Sequence, residues 1–293
     1  MAAIKAIKKR ITSVTNTKKI MKAMNLVAAS KLQKSKARLD AVKPMYYDFK
    51  KVIENVKSAV EDDVSIPFAE EREEVKNIAY IVLTGDRGLC GAFNSTISKE
   101  AFAFVEAHKE QGEKIIAVGS KGFDYFRRRG KNIIQRCEAA SEASSFDDAD
   151  ALVKMIIKMY SEGEVDEVYL IYTHFESVLA HIPYIEKLLP LKISASDQEQ
   201  GEAAATTATF MTYDPDINTF ITNAVPMYLS VTVFEAMMES AACEEAARMT
   251  SMDSASRNAT EIIDDLTLEF NRKRQGMITQ EITEIVSGAN AQA

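Results

Sequence analysis

The architecture of the chain is indicated by residues 4–56, which read IKAIKKRITSVTNTKKIMKAMNLVAASKLQKSKARLDAVKPMYYDFKKVIENV. Alternating steps of three and four residues through this stretch reach sixteen positions, and thirteen of them are apolar or aromatic. The sixteen positions are Ile4, Ile7, Ile11, Val14, Lys18, Met21, Asn25, Ala28, Leu32, Ser35, Leu39, Val42, Tyr46, Phe49, Ile53 and Val56. A 3.5-residue repeat sustained over about seven heptads is typical of a coiled-coil seam. We therefore predict one coiled-coil helix over residues 1–60, with a modest kink at Pro44.

The C-terminal stretch, residues 214–293, repeats this pattern less strictly. Its seam at residues 241–259 is rich in alanine and serine, which would let another helix approach closely. Over residues 216–287 only Pro226 and Gly276 interrupt the helical pattern. We predict a second long helix, kinked near Pro226, that pairs with the first in an antiparallel, left-handed coiled coil and outruns it by about 20 residues.

Charge is distributed unevenly along the chain. The net charge is −7, from 36 basic and 43 acidic residues, yet residues 1–51 hold 14 basic residues against Asp40 and Asp48. Residues 235–269 hold nine acidic residues against two basic ones. A basic arm indicates an anionic partner, such as nucleic acid, an acidic membrane surface or another protein. The acidic end of the chain itself is such a partner, and we favour pairing of the two ends.

The central stretch, residues 75–210, alternates short apolar runs with amphipathic segments. The runs that predict strands are Asn77–Leu83, Lys114–Val118, Ile133–Arg136 and Glu167–Thr173. The segments that predict helices are residues 95–110, 120–129 and 147–162. Strand–helix alternation is typical of a Rossmann-like open α/β domain with mainly parallel strands. Residues 194–206 predict a flexible loop before a final segment at residues 207–213.

A glycine-rich turn, Gly85–Gly91 (GDRGLCG), follows the first predicted strand, where α/β proteins bind phosphate. It matches neither G-x-x-x-x-G-K-[ST] nor G-x-G-x-x-G, because the phosphate-contacting Lys and hydroxyl are missing and Asp86 and Arg87 occupy the turn. We interpret it as a structural turn and predict no cofactor.

Neither the cysteines nor the histidines have the spacing of metal ligands: Cys90, Cys137, Cys243, His108, His174 and His181. No His lies near Cys90 to activate it as a nucleophile. We predict reduced thiols, no catalytic residues and no metal site. No apolar run approaches the roughly 18–20 residues of a membrane span, and the N-terminus lacks the apolar block of a secretory signal. We therefore expect the chain to remain in the cytoplasm.

The alternative functions come from other classes of protein. A coiled-coil scaffold or nucleic-acid-binding protein with an α/β insert would explain the two helices and the basic arm, and a nucleotide-binding enzyme would explain the α/β centre. Residues 1–44, however, contain no Phe, Tyr or Trp on which bases could stack.

Both ends of the chain carry motifs of one family. Residues 10–31 (RITSVTNTKKIMKAMNLVAASK) and residues 274–289 (RQGMITQEITEIVSGA) resemble the two ends of the gamma subunit of bacterial F-type (F1Fo) ATP synthases. GDRGLCGAFN at residues 85–94 and VGSKG at residues 118–122 resemble the middle domain of that family. Met21 departs from the threonine that the family pattern leads us to expect.

The resemblance implies a central rotary stalk that couples rotation of the c ring to ATP synthesis and hydrolysis at the alpha and beta subunits. It implies proton translocation by the whole complex, with no catalytic residue in this chain. The implied partners are the alpha, beta, epsilon and c-ring subunits, with no nucleic acid. The implied location is the cytoplasmic face of the bacterial inner membrane, peripheral through Fo.

The resemblance also implies residues that contact partners. Arg274, Gln275 and Thr279 match family positions that meet the catch loops of the beta subunit. Lys22 and Met24 match the lower helix that faces the acidic lever of beta. The alternatives are that Lys22 is a solvated side chain of the coil and that Met24 packs against it.

Overall fold

The computed structural model describes residues 2–59, 68–69, 72, 74–141, 143–191 and 217–292. The elements, in chain order, are α1 (Ala2–Ala59), β1 (Asn77–Leu83), α2 (Phe93–Ala107), β2 (Gly112–Val118), α3 (Ser120–Arg127), β3 (Ile133–Cys137), α4 (Phe146–Ser161), β4 (Glu167–Phe175), β5 (His181–Leu189) and α5 (Ile217–Gln292). The predicted loop at residues 194–206 and segment at residues 207–213 lie outside the described residues.

The chain divides into two compact units. The terminal unit consists of residues 1–30 and 248–293, and the central unit of residues 31–247. Segments of α1 and α5 belong to each unit. The predicted division into residues 1–60, 75–210 and 214–293 follows elements rather than compact units and stays a prediction.

The face of α1 that packs is the one the 3.5-residue repeat identified. The fifteen seam positions with described side chains are all buried or half-buried, including the polar residues Lys18, Asn25 and Ser35. Pro44 and Pro226, at which kinks are predicted, both lie inside continuous helices. The prediction of two long terminal helices flanking an α/β sheet is confirmed.

In the terminal unit the two helices run antiparallel. Asn25 donates a hydrogen bond to the carbonyl oxygen of Met249 (2.8 Å), and the charge of Arg10 acts on the carboxylate of Glu269. Residues earlier in α1 therefore lie opposite residues later in α5. The less strict repeat of the C-terminal stretch predicts Ala259, Ile262 and Leu266 at the seam. It is wrong at Ile262, which is 44% exposed, whereas the neighbouring Ile263 is half-buried.

The central unit contains a five-stranded sheet of order β3-β2-β1-β4-β5. The pairs β1–β2, β1–β4 and β2–β3 are parallel, which confirms the mainly parallel sheet. β5 pairs antiparallel with β4 at the sheet edge. Sequence analysis missed β5 because its half-buried pattern contains Pro183, which sheets tolerate at an edge strand.

The helix segments of the central unit are also antiparallel and oppositely charged. Lys31 Nζ lies 4.0 Å from Glu245 Oε1, and Lys43 Nζ lies 3.2 Å from Glu239 Oε1. The predicted complementarity between the basic and acidic ends is therefore realised in specific ion pairs.

One 18-residue window inside Thr219–Asn290 is apolar enough to cross a membrane by length and composition. The sequence analysis, which looked for an uninterrupted apolar run, did not identify this window. The window is 61% buried inside the protein, and the core helix of a soluble protein passes the same test. The window is weak evidence for a membrane span.

Candidate functional site

The residues expected to contact partners lie in the terminal unit. Arg274, Gln275, Thr279 and Lys22 are exposed, and Met24 is half-buried. Four of these side chains are accessible to a partner and Met24 is partly covered, and their contact with partners stays a prediction.

These residues form two separate groups. The pairing of Asn25 with Met249 puts Lys22 and Met24 opposite the first turns of α5 in the terminal unit. Arg274 lies about 20 residues further along α5, a distance of about 30 Å at 1.5 Å per residue. A partner that touches both groups therefore has to extend over about 30 Å of the helix.

Beyond Phe270 the apolar side chains of α5 lose their cover. The exposed fractions of Ile278, Ile282 and Ile285 are 48%, 56% and 71%. Residues 272–290 are exposed except for the half-buried Met277. Several large apolar side chains on one exposed helix indicate a surface that a partner covers.

The second candidate site, the glycine turn after β1, is closed by α5. A Cβ atom placed on Gly85 would lie 2.7 Å from the carboxyl carbon and both carboxyl oxygens of Glu244. The backbone N–H of Gly85 donates to Asn94 Oδ1 (2.7 Å). The turn is unsuited to phosphate, because the carboxyl group of Glu244 lies against Gly85 and the side chain of Asn94 already accepts the hydrogen bond of the Gly85 N–H.

Asp86 ties together the loops at the carboxyl ends of three strands. Its Oδ1 accepts from the N–H and the hydroxyl of Ser120 (2.7 Å each), and its Oδ2 accepts from the N–H of Ala139 (3.3 Å). Partial burial opposes its ionisation, but these hydrogen bonds and the nearby charge of Arg136 hold the pKa of Asp86 below its usual value. The residue therefore acts as a structural clamp, as the interpretation of this turn as structural requires.

A cavity of about 380 Å³ lies beside these loops, lined among others by Cys137, Ser141, Leu152, Met155 and Met237. Burial raises the pKa of the Cys137 thiol, which lowers its reactivity. The ionisable lining side chains other than this thiol are Glu138 and Asp148, and none of the described lining residues is basic. The cavity is therefore a poor fit for an anionic nucleotide.

Sequence reasoning missed one cluster entirely. Glu235 and Glu239 of α5 are 7% and 1% exposed, and Glu239 Oε2 lies 2.7 Å from His174 Nδ1 of β4. Two glutamates four residues apart have the sequence signature of a solvated helix face. No local signal distinguishes them, because their burial depends on a strand 65 residues away.

Comparison with known proteins decides the family. The profile of a family described as ATP synthase matches residues 3–292. The ATP synthase gamma chain of Desulforamulus reducens is 40% identical over 291 residues, covering 99% of both chains. That of Chlorobium phaeobacteroides is 37% identical over 296 residues, again covering 99% of both. The chain belongs to the ATP synthase gamma chain family.

Solved structures share the fold of this ATP synthase gamma chain family member. A chain in the cryo-EM structure of the Euglena gracilis mitochondrial ATP synthase (OSCP/F1/c-ring, rotational state 3) has a TM-score of 0.68 at 15% identity, over 99% of this chain and 95% of that one. A chain in the Tetrahymena thermophila mitochondrial ATP synthase (central stalk/cring) has a TM-score of 0.57 at 21% identity, over 81% and 99%. At these identities the likeness concerns the fold.

Proposed function

We propose that this gamma chain is the central rotary stalk of a proton-translocating F1Fo ATP synthase. It couples rotation of the c ring to ATP synthesis and hydrolysis at the alpha and beta subunits. The observation that carries the proposal is the end-to-end family match, on a chain whose two long helices flank an α/β sheet. Two paired helices resist bending and twisting better than one, as a shaft requires.

The chain is a non-catalytic subunit in this proposal. Support comes from the closed turn after β1, where Glu244 lies against Gly85 and the Asp86 carboxylate is held ionised by its hydrogen bonds. Two carboxylates at the place where an α/β domain would bind phosphate repel a polyphosphate. ATP chemistry then belongs to the beta subunits.

The two compact units divide the mechanical work. The terminal unit, with exposed Lys22, Arg274, Gln275 and Thr279, lies within the ring of alpha and beta subunits. The exposed isoleucines of its tip are covered there. The sheet of the central unit binds epsilon and the c ring, which makes the chain peripheral to the cytoplasmic face of the bacterial inner membrane.

The test is rotation of the chain within assembled F1. A cysteine introduced at exposed Glu162 on the central unit would carry an optical probe, with the alpha and beta subunits fixed to a surface. ATP should drive continuous rotation of the probe. The control attaches the probe to a beta subunit, which should stay still. ATP hydrolysis with a motionless probe on this chain would overturn the proposal.

No observation favours the alternatives of a nucleic-acid-binding protein or a scaffold.

A further inference from the structure

The central unit buries two carboxyl groups that the rotary function does not use. Glu235 and Glu239 lie one helical turn apart on α5, so their side chains share one face of the helix. Both are almost fully buried. Two ionised carboxylates this close together in a buried place repel each other, and one bound proton removes that repulsion.

We propose that Glu235 and Glu239 form a proton-binding site, in which two carboxyl groups share one proton inside the joint between α1, α5 and the β4–β5 edge of the sheet. The ligand of this site is a proton, held by the two carboxyl groups.

The contacts assign the proton to Glu235. His174 Nδ1 lies 2.7 Å and Lys43 Nζ lies 3.2 Å from carboxyl oxygens of Glu239, so the proton of the pair falls to Glu235. Its buried Oε1 has the ion pair but no well-aligned hydrogen bond. A protonated Glu235 supplies the donor that the Glu239 carboxylate lacks.

The charges around the pair also favour one bound proton. The titratable groups that face it are Lys43, Tyr46, Tyr47 and Lys50 from α1, Tyr172 and His174 from β4, Tyr184 and Glu186 from β5, and Tyr228 and Cys243 from α5. Lys43 acts on the pair and Lys50 acts on the neighbouring Glu186, so two lysines face three carboxyl groups when the His174 imidazole is neutral. One bound proton then balances these charges.

The same environment sets the pH range of the site. Burial and then the charge of Glu239 raise the pKa of Glu235 to about 8, against about 4.3 in an unfolded chain. The folded state therefore binds the proton more tightly. The stability this contributes is complete below about pH 4.3 and is lost as the pH rises through about 8. Ionised Glu235 would then repel Glu239 across one helical turn, which weakens the packing of α5 against β4.

Infrared spectroscopy of the full-length chain, titrated from pH 5 to pH 10, measures the proton directly. A protonated buried carboxyl group gives a carbonyl band distinct from that of a carboxylate. We expect a band that persists at neutral pH and disappears in alkaline solution. Glu235→Gln should reduce it, because the amide keeps the shape and the donor but cannot titrate. The control Glu261→Gln, at an exposed position of α5, should leave the band unchanged.

A second measurement separates this site from the neighbouring Glu186, whose pKa burial also raises. The thermal midpoint of the unsubstituted chain should fall between pH 6 and pH 9, and this fall should shrink in Glu235→Gln but not in Glu261→Gln. If the unsubstituted chain has no protonated carboxyl band at neutral pH, the proposal is wrong. It is equally wrong if Glu235→Gln leaves both the band and the pH dependence intact.

Discussion

The side-chain amide of Asn25 donates a 2.8 Å hydrogen bond to the main-chain carbonyl oxygen of Met249, across the coiled coil of the terminal unit. A side chain this short reaches a backbone atom of the opposite helix only where the two helices approach closely. Small residues of α5 in the same unit, Ser251 and Ala255, allow this, and both are half-buried. An asparagine at a seam position also fixes the register of a coiled coil at some cost in stability.

Asn25→Ala removes this interhelical hydrogen bond. We expect a loss of about 1 kcal/mol of stability, the net value of a typical intramolecular hydrogen bond, measured as a lowered thermal midpoint by circular dichroism. Asn16→Ala is the matched control, because Asn16 is exposed on the same helix. Equal effects of the two substitutions would show that the contact with Met249 contributes nothing specific.

Gly85→Ala places a methyl group against the carboxyl group of Glu244. Glu244 has to move, so we expect a destabilisation of about 1 kcal/mol, the low end for overpacking because a carboxyl group is the mobile end of its side chain. Gly88→Ala in the same turn is the control, since its added Cβ would have no neighbour within 4 Å. Thermal denaturation of both variants tests this prediction. A Gly85→Ala variant with an unchanged thermal midpoint would mean that Glu244 does not close the turn.

We expect Ile278, Ile282 and Ile285 to make the isolated chain prone to aggregation, because none of the residues that the structure describes covers their exposed surface. Replacing all three with Ser should increase the monomer fraction in light scattering of the isolated chain. In the assembled complex the same triple variant should reduce coupling, because the partner loses its apolar contact. An unsubstituted chain that stays monodisperse at high concentration would contradict this prediction.

Arg274 and Gln275 are expected to transmit torque to the beta subunits. Replacing both with Ala should impair coupled ATP synthesis in an otherwise assembled enzyme. Arg274→Lys alone should also lower the rate, because lysine cannot hold a carboxylate with two parallel hydrogen bonds. Arg257→Ala, an exposed arginine on the same helix, is the control. Unchanged synthesis and proton pumping in the double variant would remove both residues from the contact surface.

Arg87 tests the absence of nucleotide chemistry in the central unit. Calorimetry of the isolated chain with ATP should show negligible binding, since the turn lacks the lysine and hydroxyl of a phosphate loop. Arg87→Ala should leave nucleotide affinities at the beta sites of the assembled enzyme unchanged. Micromolar ATP binding by the isolated chain that Arg87→Ala abolishes would make the turn a nucleotide site.

Periodicity alone determined the helices and most of the sheet. The seam from Ile4 to Ile53 is a property of spacing within α1, and it predicted the buried face even at the polar positions Lys18 and Ser35. β1 was predicted with its observed bounds, since a continuous apolar run needs no partner to be recognised. The terminal motifs indicated the family, because they are continuous segments that can be recognised in the sequence.

The tertiary structure decided what depends on distant partners. β5 exists because β4 offers it an edge, and its own alternation with Pro183 is too weak to predict a strand. The exchange of Ile262 for Ile263 at the seam reflects packing that a fixed repeat does not follow. The pairing of Glu239 with His174 joins residues 65 positions apart. The burial of a glutamate, and therefore its protonation, depends on neighbours that only folding brings close. The spacing of residues in the sequence does not identify those neighbours.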